Sequence, residues 1–244
     1  MRGFIGSTFL LYMISCTAAA SDAENSLWDF GLGVKATQSP FVGGDTSVSA
    51  SVVRVTNKKF LTRGPVFPIY KRENHQYYLG ANIGEWDTNR NDNAQLSGMK
   101  DLDLEINARA GVAWRSQKGV TDLEILKDVT AHKGIQARLR HTYAPETERA
   151  VWLPFAELQW MSADVTDYYT GVDAAEVALG RPAYETDSDY AIKAGIKVQH
   201  PLATKLTLVG TAELIHYGGK IADSPIIEKN NVWGGSLGVS YRWK

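Results

Sequence analysis

The chain has 244 residues, and its 26 lysines and arginines nearly balance its 27 aspartates and glutamates, for a formal net charge of -1. This balance argues against nucleic acid as a partner, because such partners select basic surfaces. The length suits one large domain or one barrel.

The N-terminus has the pattern of a secretory signal. Arg2 precedes an apolar run over residues 4–14, and small residues over 17–20 form an Ala-x-Ala cleavage pattern. We therefore predict cleavage between Ala20 and Ser21.

This cleavage makes residues 1–20 a signal peptide and residues 21–244 a single mature domain. The one cysteine, Cys16, falls within the signal, so the mature chain would carry neither thiol nor disulfide. A lipid-modified Cys16 is the alternative, since Ile14 and Ser15 suit that type of cleavage while Met13 replaces the usual leucine.

After the signal, no apolar stretch approaches the roughly 18 residues that a membrane-spanning helix needs. Several segments instead alternate apolar and polar residues with period two, which predicts one-sided strands. The longest such segment runs from Leu102 to Trp114, and similar ones cover residues 135–140, 190–199, 206–215 and 233–243. If such a chain crosses a membrane, it must do so as a closed barrel, because lipid cannot pair with an exposed backbone.

We predict an all-β fold, a transmembrane antiparallel β-barrel of about 12 strands, with 10 as the alternative. The candidate strands are residues 27–36, 47–56, 65–71, 76–86, 101–114, 120–129, 133–143, 149–161, 189–200, 203–217 and 232–243. These are eleven, whereas a bacterial single-chain barrel has an even number. At least one strand is therefore either missing from this set or wrongly included in it, between Asn57 and Tyr70 or around residues 167–173.

The predicted connections differ in length. Residues 131–133 and 200–204 are expected to be short turns, whereas residues 87–100 and 218–231 are longer and polar. Short turns at one end and long loops at the other are typical of membrane barrels.

Tryptophan placement favours a barrel in lipid over a soluble sandwich, which would show the same alternation. All seven tryptophans fall near predicted strand edges, as in the aromatic girdles at the two lipid headgroup levels: Trp28, Trp86, Trp114, Trp152, Trp160, Trp233 and Trp243. Filling of a core is the alternative role. The opposite face would line a wet lumen with paired or hydrated charges, namely Asp103, Glu105, Arg138, Arg140, Lys193, Lys197 and Glu213.

The five histidines do not form a metal-ligand or nucleophile motif. His132 and His200 fall in predicted turns and are expected to be solvated, while His141 and His216 are expected at strand ends on the apolar face. We therefore predict no cofactor and no enzymatic activity.

Four segments carry a family resemblance: residues 64–70 (Gly-Pro-Val-Phe-Pro-Ile-Tyr), residues 167–172 followed by 180–184, residues 223–227, and the ending 236–243. In this order they resemble the MipA/OmpV family of outer-membrane proteins over essentially the mature chain. The ending resembles the signal by which the barrel-assembly machinery recognises its substrates, with Ser236, Gly238, Tyr241 and Trp243 at the matching positions. Lys244 departs from it, since such signals usually end in phenylalanine.

The resemblance implies a barrel in the lipid of the Gram-negative outer membrane. It also implies a scaffold that joins a lytic transglycosylase and a penicillin-binding protein in peptidoglycan synthesis. A small-solute porin or an adhesin is the alternative function.

Overall fold

The computed structural model describes residues 28–53, 55, 66–86, 90, 93–144 and 151–243. The predicted signal, with Ala20, Ser21 and Cys16, lies outside these ranges. Within them, no helix has the length and apolar character needed to cross a membrane.

The described chain is dominated by eleven strands in one sheet. The strands are β1 (Trp28–Gln38), β2 (Thr46–Val53), β3 (Val66–Lys71), β4 (His75–Ile83), β5 (Ile106–Ser116), β6 (Gly119–Asp128), β7 (Ile135–Tyr143), β8 (Val151–Met161), β9 (Asp189–Ala203), β10 (Leu206–Tyr217) and β11 (Asn231–Trp243). The short helices are α1 (Ala163–Thr170) and α2 (Gly219–Ala222), and single 3-10 turns occupy Ala94–Leu96 and Ala174–Glu176.

The sheet order is that of a barrel in which the first and last strands meet. Neighbours follow one another as β2-β1-β11-β10-β9-β8-β7-β6-β5-β4-β3, and every neighbouring pair is antiparallel. The predicted all-β antiparallel barrel is confirmed.

The two edge strands of the described sheet, β2 and β3, run in the same direction, as follows from the alternating pairings. An antiparallel barrel closes only with an even number of strands, so the eleven described strands do not by themselves form a closed barrel. The first expected site of a further strand, from Asn57 to Tyr70, contains β3 from Val66 onward, and residues 56–65 lie outside the described ranges.

The prediction of a strand around residues 167–173 is wrong. Residues up to Thr170 form helix α1, which buries Val165 and Tyr169 on one face. Residues four positions apart lie on the same side of a helix, whereas the side chains that share one face of a strand are two positions apart.

The two faces of the sheet are the reverse of those of a soluble sandwich. On β6, Leu123 and Ile125 point outward with 43% and 56% exposure, while Asp122 and Glu124 point inward with 8% and 3%. An apolar exposed face and a polar enclosed face suit a barrel that has lipid outside and a wet lumen inside.

The two ends of the barrel also differ. At the turn end, short connections over residues 72–74, 117–118 and 204–205 join the strands, and the described chain both begins and ends there. At the loop end lie residues 39–45, 84–86, 90, 93–105, 129–134, 162–188 and 218–230. The predicted division into turns and loops holds with two exceptions. The turn at 131–133 lies with the long loops, and the turn predicted at 200–204 is only residues 204–205, because β9 continues to Ala203.

The long loops fold into a compact layer, which we call the loop cap: residues 39–45, 84–105, 162–188 and 218–230 where described. Its apolar interior is the largest buried hydrophobic cluster of the described residues and includes Phe41, Leu96, Met99, Leu102, Val165, Tyr169, Val172, Ile221, Ile226 and Ile227. The largest hydrophobic cluster of the described residues thus lies at the loop end of the barrel.

Trp86 belongs to this cap, so its predicted place in a lipid girdle is wrong. Its ring stacks on Tyr169 at 5.2 Å between centroids and contacts Tyr217 at 5.1 Å and Phe41 at 6.2 Å. By contrast, Trp152, Trp160 and Trp233 are exposed on the outer face near strand ends, as predicted.

The predicted strand from residue 101 begins too early, since β5 starts at Ile106. The side chain of Asp101 accepts the Arg90 backbone N–H at 2.9 Å, and the Lys100 backbone N–H donates to Glu176. These bonds hold residues 100–101 in the cap, so Asp103 is an exposed rim residue and not a lumen charge.

Candidate functional site

The inner wall carries a row of charges that alternate in sign across four strands. Asp122 on β6 lies opposite Arg140 on β7, which lies opposite Glu157 on β8, and Glu157 lies opposite Lys193 on β9. Arg140 Nη1 is 3.3 Å from Glu157 Oε2, and Lys193 Nζ is 3.7 Å from Glu157 Oε1. Opposite charges in directly facing positions stabilise strand pairing, so this row favours the observed register.

A second group of charges lies two residues further along the same face of the strands. Arg109 pairs with Glu124, and Arg138 Nη1 lies 3.8 Å from the other Glu124 oxygen. The Tyr78 hydroxyl is within hydrogen-bond distance of Asp122 at 2.8 Å and of Glu124 at 2.9 Å, and links the two groups. Buried charges with this many partners avoid the large cost of an unpaired ion.

The loop cap is joined to the wall by Glu85, which lies between β4 and β5. Its Oε2 is 2.6 Å from Lys193 Nζ, and its Oε1 is 3.6 Å from Arg138 Nη1. One loop carboxylate therefore contacts cations of two different strands, β7 and β9.

These contacts bring together several of the predicted lumen charges. Arg138, Arg140 and Lys193 are paired inside as expected, and Lys197 and Glu213 lie on the same inner face by register, beside Thr211 and Gly195 respectively. Sequence reasoning missed their acidic partners Glu85, Asp122, Glu124 and Glu157. The alternation of β6 and β8 is a signal for the last three, because Glu124 and Glu157 each lie between outward apolar residues and Asp122 directly precedes one.

Where the cap meets the lumen, Glu105 accepts three hydrogen bonds. Tyr169 Oη donates to Oε2 at 2.7 Å, while the side-chain amides of Asn107 and Gln136 donate to Oε1 at 2.6 Å each. Because Tyr169 lies on α1 and Asn107 and Gln136 lie on strands, this carboxylate fastens the cap helix to the barrel.

His132 lies beside this carboxylate, and the prediction that it is solvated is wrong. Its side chain is 1% exposed, with Nε2 at 3.6 Å from Glu105 Oε1. Its ring packs on Tyr168 and Tyr169 at 5.3 and 5.7 Å between centroids. The His132 ring is enclosed because Tyr168 and Tyr169 of helix α1 pack against it, and the sequence of the turn does not reveal that contact.

Protonation follows from this environment. Burial, with the nearby Glu105 carboxylate, raises the pKa of the Tyr169 phenol, which therefore stays a hydrogen-bond donor. Burial alone would raise the pKa of Glu105, but interactions with His132, Tyr169 and Asn107 outweigh it and hold that pKa below its ordinary value.

His141 and His216 lie where the sequence predicts, whereas His200 is solvent-exposed as expected but lies in strand β9 and not in a turn. His141 and His216 are exposed on the outer face near strand ends. His141 Nδ1 is 2.8 Å from Thr121 Oγ1 and His216 Nδ1 is 2.9 Å from Asn231 Oδ1. No group of three or more potential metal ligands occurs among the residues that the structure describes.

The predicted assembly signal lies on β11, the strand that meets β1. Ser236 and Gly238 lie on the inner side opposite Lys35 and Gly33. A Cβ on Gly238 would lie 2.6 Å from the Leu32 carbonyl oxygen, so the close approach of the two strands requires glycine here.

The other two signal residues lie nearer the end of the strand. Tyr241 is exposed on the outer face, and Trp243 lies opposite Trp28. Recognition of these four residues by the assembly machinery remains a prediction.

Comparison with known proteins gives a family match and several relatives. The family model described as MltA-interacting protein MipA matches residues 30–243. The chain is 25% identical to the outer membrane protein Omp26La of Vibrio anguillarum and 26% identical to the outer membrane protein OmpV of Vibrio cholerae, over 142 residues in each case.

Both alignments cover 58% of this chain, and the chain spans about half of each Vibrio protein, 54%. A longer alignment, over 241 residues and 96% of both chains, shows 23% identity to the putative outer membrane protein YiaT of Escherichia coli K12. The family match and the apolar outer face of the sheet agree: the chain belongs to the MipA family and is a β-barrel protein of the Gram-negative outer membrane.

Proposed function

We propose that this protein is a scaffold without enzymatic activity that brings a lytic transglycosylase and a penicillin-binding protein together during peptidoglycan synthesis. The observation that carries the proposal is the match over residues 30–243 to a family described as MltA-interacting. That the relatives are named as outer membrane proteins supports a role other than catalysis.

The lumen supports a role that does not depend on a wide pore. Glu85 contacts cations of two strands, and the loop cap packs an apolar cluster over one end. A barrel of about 12 strands is also narrower than the 16-stranded porins that hold an aqueous channel. We therefore propose that the protein acts through surfaces at the ends of the barrel and not through its lumen.

The turn end is the surface that we propose for periplasmic partners, because short turns face the periplasm in such barrels. It exposes Asn74, Lys118 and Lys205 in three separate turns. A standard interface needs about 800 Å² per partner, so several turns must act together and the affinity should be modest.

Site-specific photo-cross-linking in living cells tests this proposal. A photoreactive residue at Lys118 or Lys205 should capture cell-wall enzymes. The same residue at Leu179, an exposed position in the loop cap, is the matched control and should capture none. Absence of any cell-wall enzyme from the Lys118 and Lys205 cross-links would contradict the scaffold.

The charged lumen supports a second candidate, a channel for small solutes. Planar-bilayer recording of the purified barrel separates the two functions. Steady, solute-selective conductance, together with no cross-linked enzyme, would favour the channel instead.

A further inference from the structure

Two buried cations on the inner wall hold one carboxylate between them. The side chains of Arg138 and Lys193 are each 7% exposed, whereas that of Glu85 is 33% exposed. The two Glu85 oxygens are divided between the cations, with Oε1 facing Arg138 and Oε2 facing Lys193. The cations belong to strands, while the carboxylate belongs to a loop.

Around this point, the contacts of the described wall residues join four cations to three carboxylates. The cations are Arg109, Arg138, Arg140 and Lys193, and the carboxylates are Asp122, Glu124 and Glu157. Glu85, which comes from outside the wall, adds a fourth carboxylate to this group. A buried cation without a counter-charge is costly, so the wall favours an anion at this position whatever its source.

The donor geometry favours a carboxylate as that anion. A guanidinium and an ammonium are the side chains that bind carboxylates best, and charge-assisted hydrogen bonds of this type are among the strongest in proteins. The Arg138 Nε atom is buried and has no hydrogen-bond partner among the described residues. The site thus has an unused donor in addition to the groups that Glu85 contacts.

We infer that Arg138 and Lys193 form a binding site for a small carboxylate solute, and that Glu85 occupies this site as an internal substitute. A solute carboxylate displaces Glu85, which can withdraw because it lies in a loop and is partly exposed. No strand pairing has to break. The inference concerns the lumen and does not depend on the proposed periplasmic partners.

Chemical rescue by acetate tests the site. The folded Glu85→Ala variant is purified in detergent micelles, and its thermal unfolding is followed with sodium acetate or with sodium chloride at equal ionic strength. Because a ligand stabilises the state that binds it, acetate should raise the unfolding temperature of the variant along a saturable curve, and chloride should not. Wild type should need at least about tenfold more acetate, since its tethered carboxylate competes at a high effective concentration.

Two further variants separate the site from a general salt effect. Glu228→Ala removes an exposed cap carboxylate that is paired with Lys229, and should respond to acetate no more than wild type does. Lys193→Met added to Glu85→Ala should abolish the acetate response. If Glu85→Ala does not fold, Glu85→Gln is used, with acetate binding read directly by saturation-transfer NMR. Equal responses to acetate and chloride, or a response that survives Lys193→Met, would overturn the inference.

Discussion

Tyr78 lies over Gly111 on the neighbouring strand, where a Cβ atom would be only 2.4 Å from the Tyr78 phenol oxygen. The missing side chain leaves the space in which that hydroxyl reaches Asp122 and Glu124. Glycine is thus favoured at position 111 because an added Cβ would meet the Tyr78 phenol and, at 2.9 Å, the Leu123 carbonyl oxygen, and not because of its backbone conformation.

We expect Gly111→Ala to displace the Tyr78 ring and to lower the stability of the barrel by about 1–3 kcal/mol, a typical cost of overpacking. Gly210→Ala is the matched control, because the nearest atom to its added Cβ is a Leu237 side-chain carbon at 3.5 Å. Urea unfolding of the barrel in micelles measures the difference. Equal stability of the two variants would show that the lumen tolerates the methyl group.

Arg181 joins two segments of the loop cap. It donates to the carbonyl oxygens of Glu176, Gln95 and Ser97 at 2.9, 3.2 and 3.1 Å. Arg181→Met should leave these acceptors without their donor and destabilise the cap by about 1–3 kcal/mol or more. Hydrogen exchange of residues 162–188, read by mass spectrometry, should become faster.

Lys100→Met provides the comparison for Arg181. Lys100 pairs with Asp173 between the same segments, but the two side chains are 66% and 63% exposed, and such pairs contribute only about 0–1 kcal/mol. Hydrogen exchange of residues 162–188 in Lys100→Met should match that of wild type. An equal effect of the two substitutions would show that burial of Arg181 is not what matters.

The attachment of the cap should depend on pH through Glu105. Its pKa is lowered in the folded protein, so its contribution to stability is present above the unfolded value of about 4.3. That contribution is lost as the pH falls through the lower folded value. Glu105→Gln should be less stable than wild type near neutral pH, and its unfolding temperature should fall less steeply below about pH 4.3.

Glu185→Gln changes an exposed cap carboxylate and should leave the acid slope of wild type intact. Calorimetry of wild type and the two variants compares their unfolding temperatures between about pH 6 and 3. This pH range spans the ordinary carboxyl pKa. Identical slopes for wild type and Glu105→Gln would exclude Glu105 as the titrating group.

Strand β11 gives a prediction about assembly of the barrel. Trp243→Asp places a charge where an aromatic anchor is predicted, and should lower the amount of folded barrel. Trp233→Asp changes the same residue type near the other end of β11, outside the predicted signal. Heat-modifiable mobility of envelope fractions should show the larger loss for Trp243→Asp, and equal losses would argue against a terminal signal.

Processing provides a test that needs no substitution. The mature protein from the envelope should begin at Ser21 when its N-terminus is sequenced. A blocked N-terminus with lipid on Cys16 would replace the predicted cleavage after Ala20.

Much of the barrel could be predicted from the sequence, because the alternation of a strand is a local property. Leu123 and Asp122 point to opposite faces whatever surrounds them, since successive residues of a strand always do. The same rule correctly predicted Arg138 and Lys193 as lumen charges. The family resemblance also rested on short local segments.

Only the tertiary structure decides which distant segments of the chain come into contact. Glu85 meets Lys193 across 108 residues of chain, and no local pattern encodes that encounter. The predictions for His132 and Trp86 are wrong for the same reason, because segments from elsewhere in the chain pack against each of these side chains. The sequence by itself determines which side of a strand is apolar, whereas the packing of the loop cap determines which charges meet, because ion pairing depends on distances that only the folded chain sets.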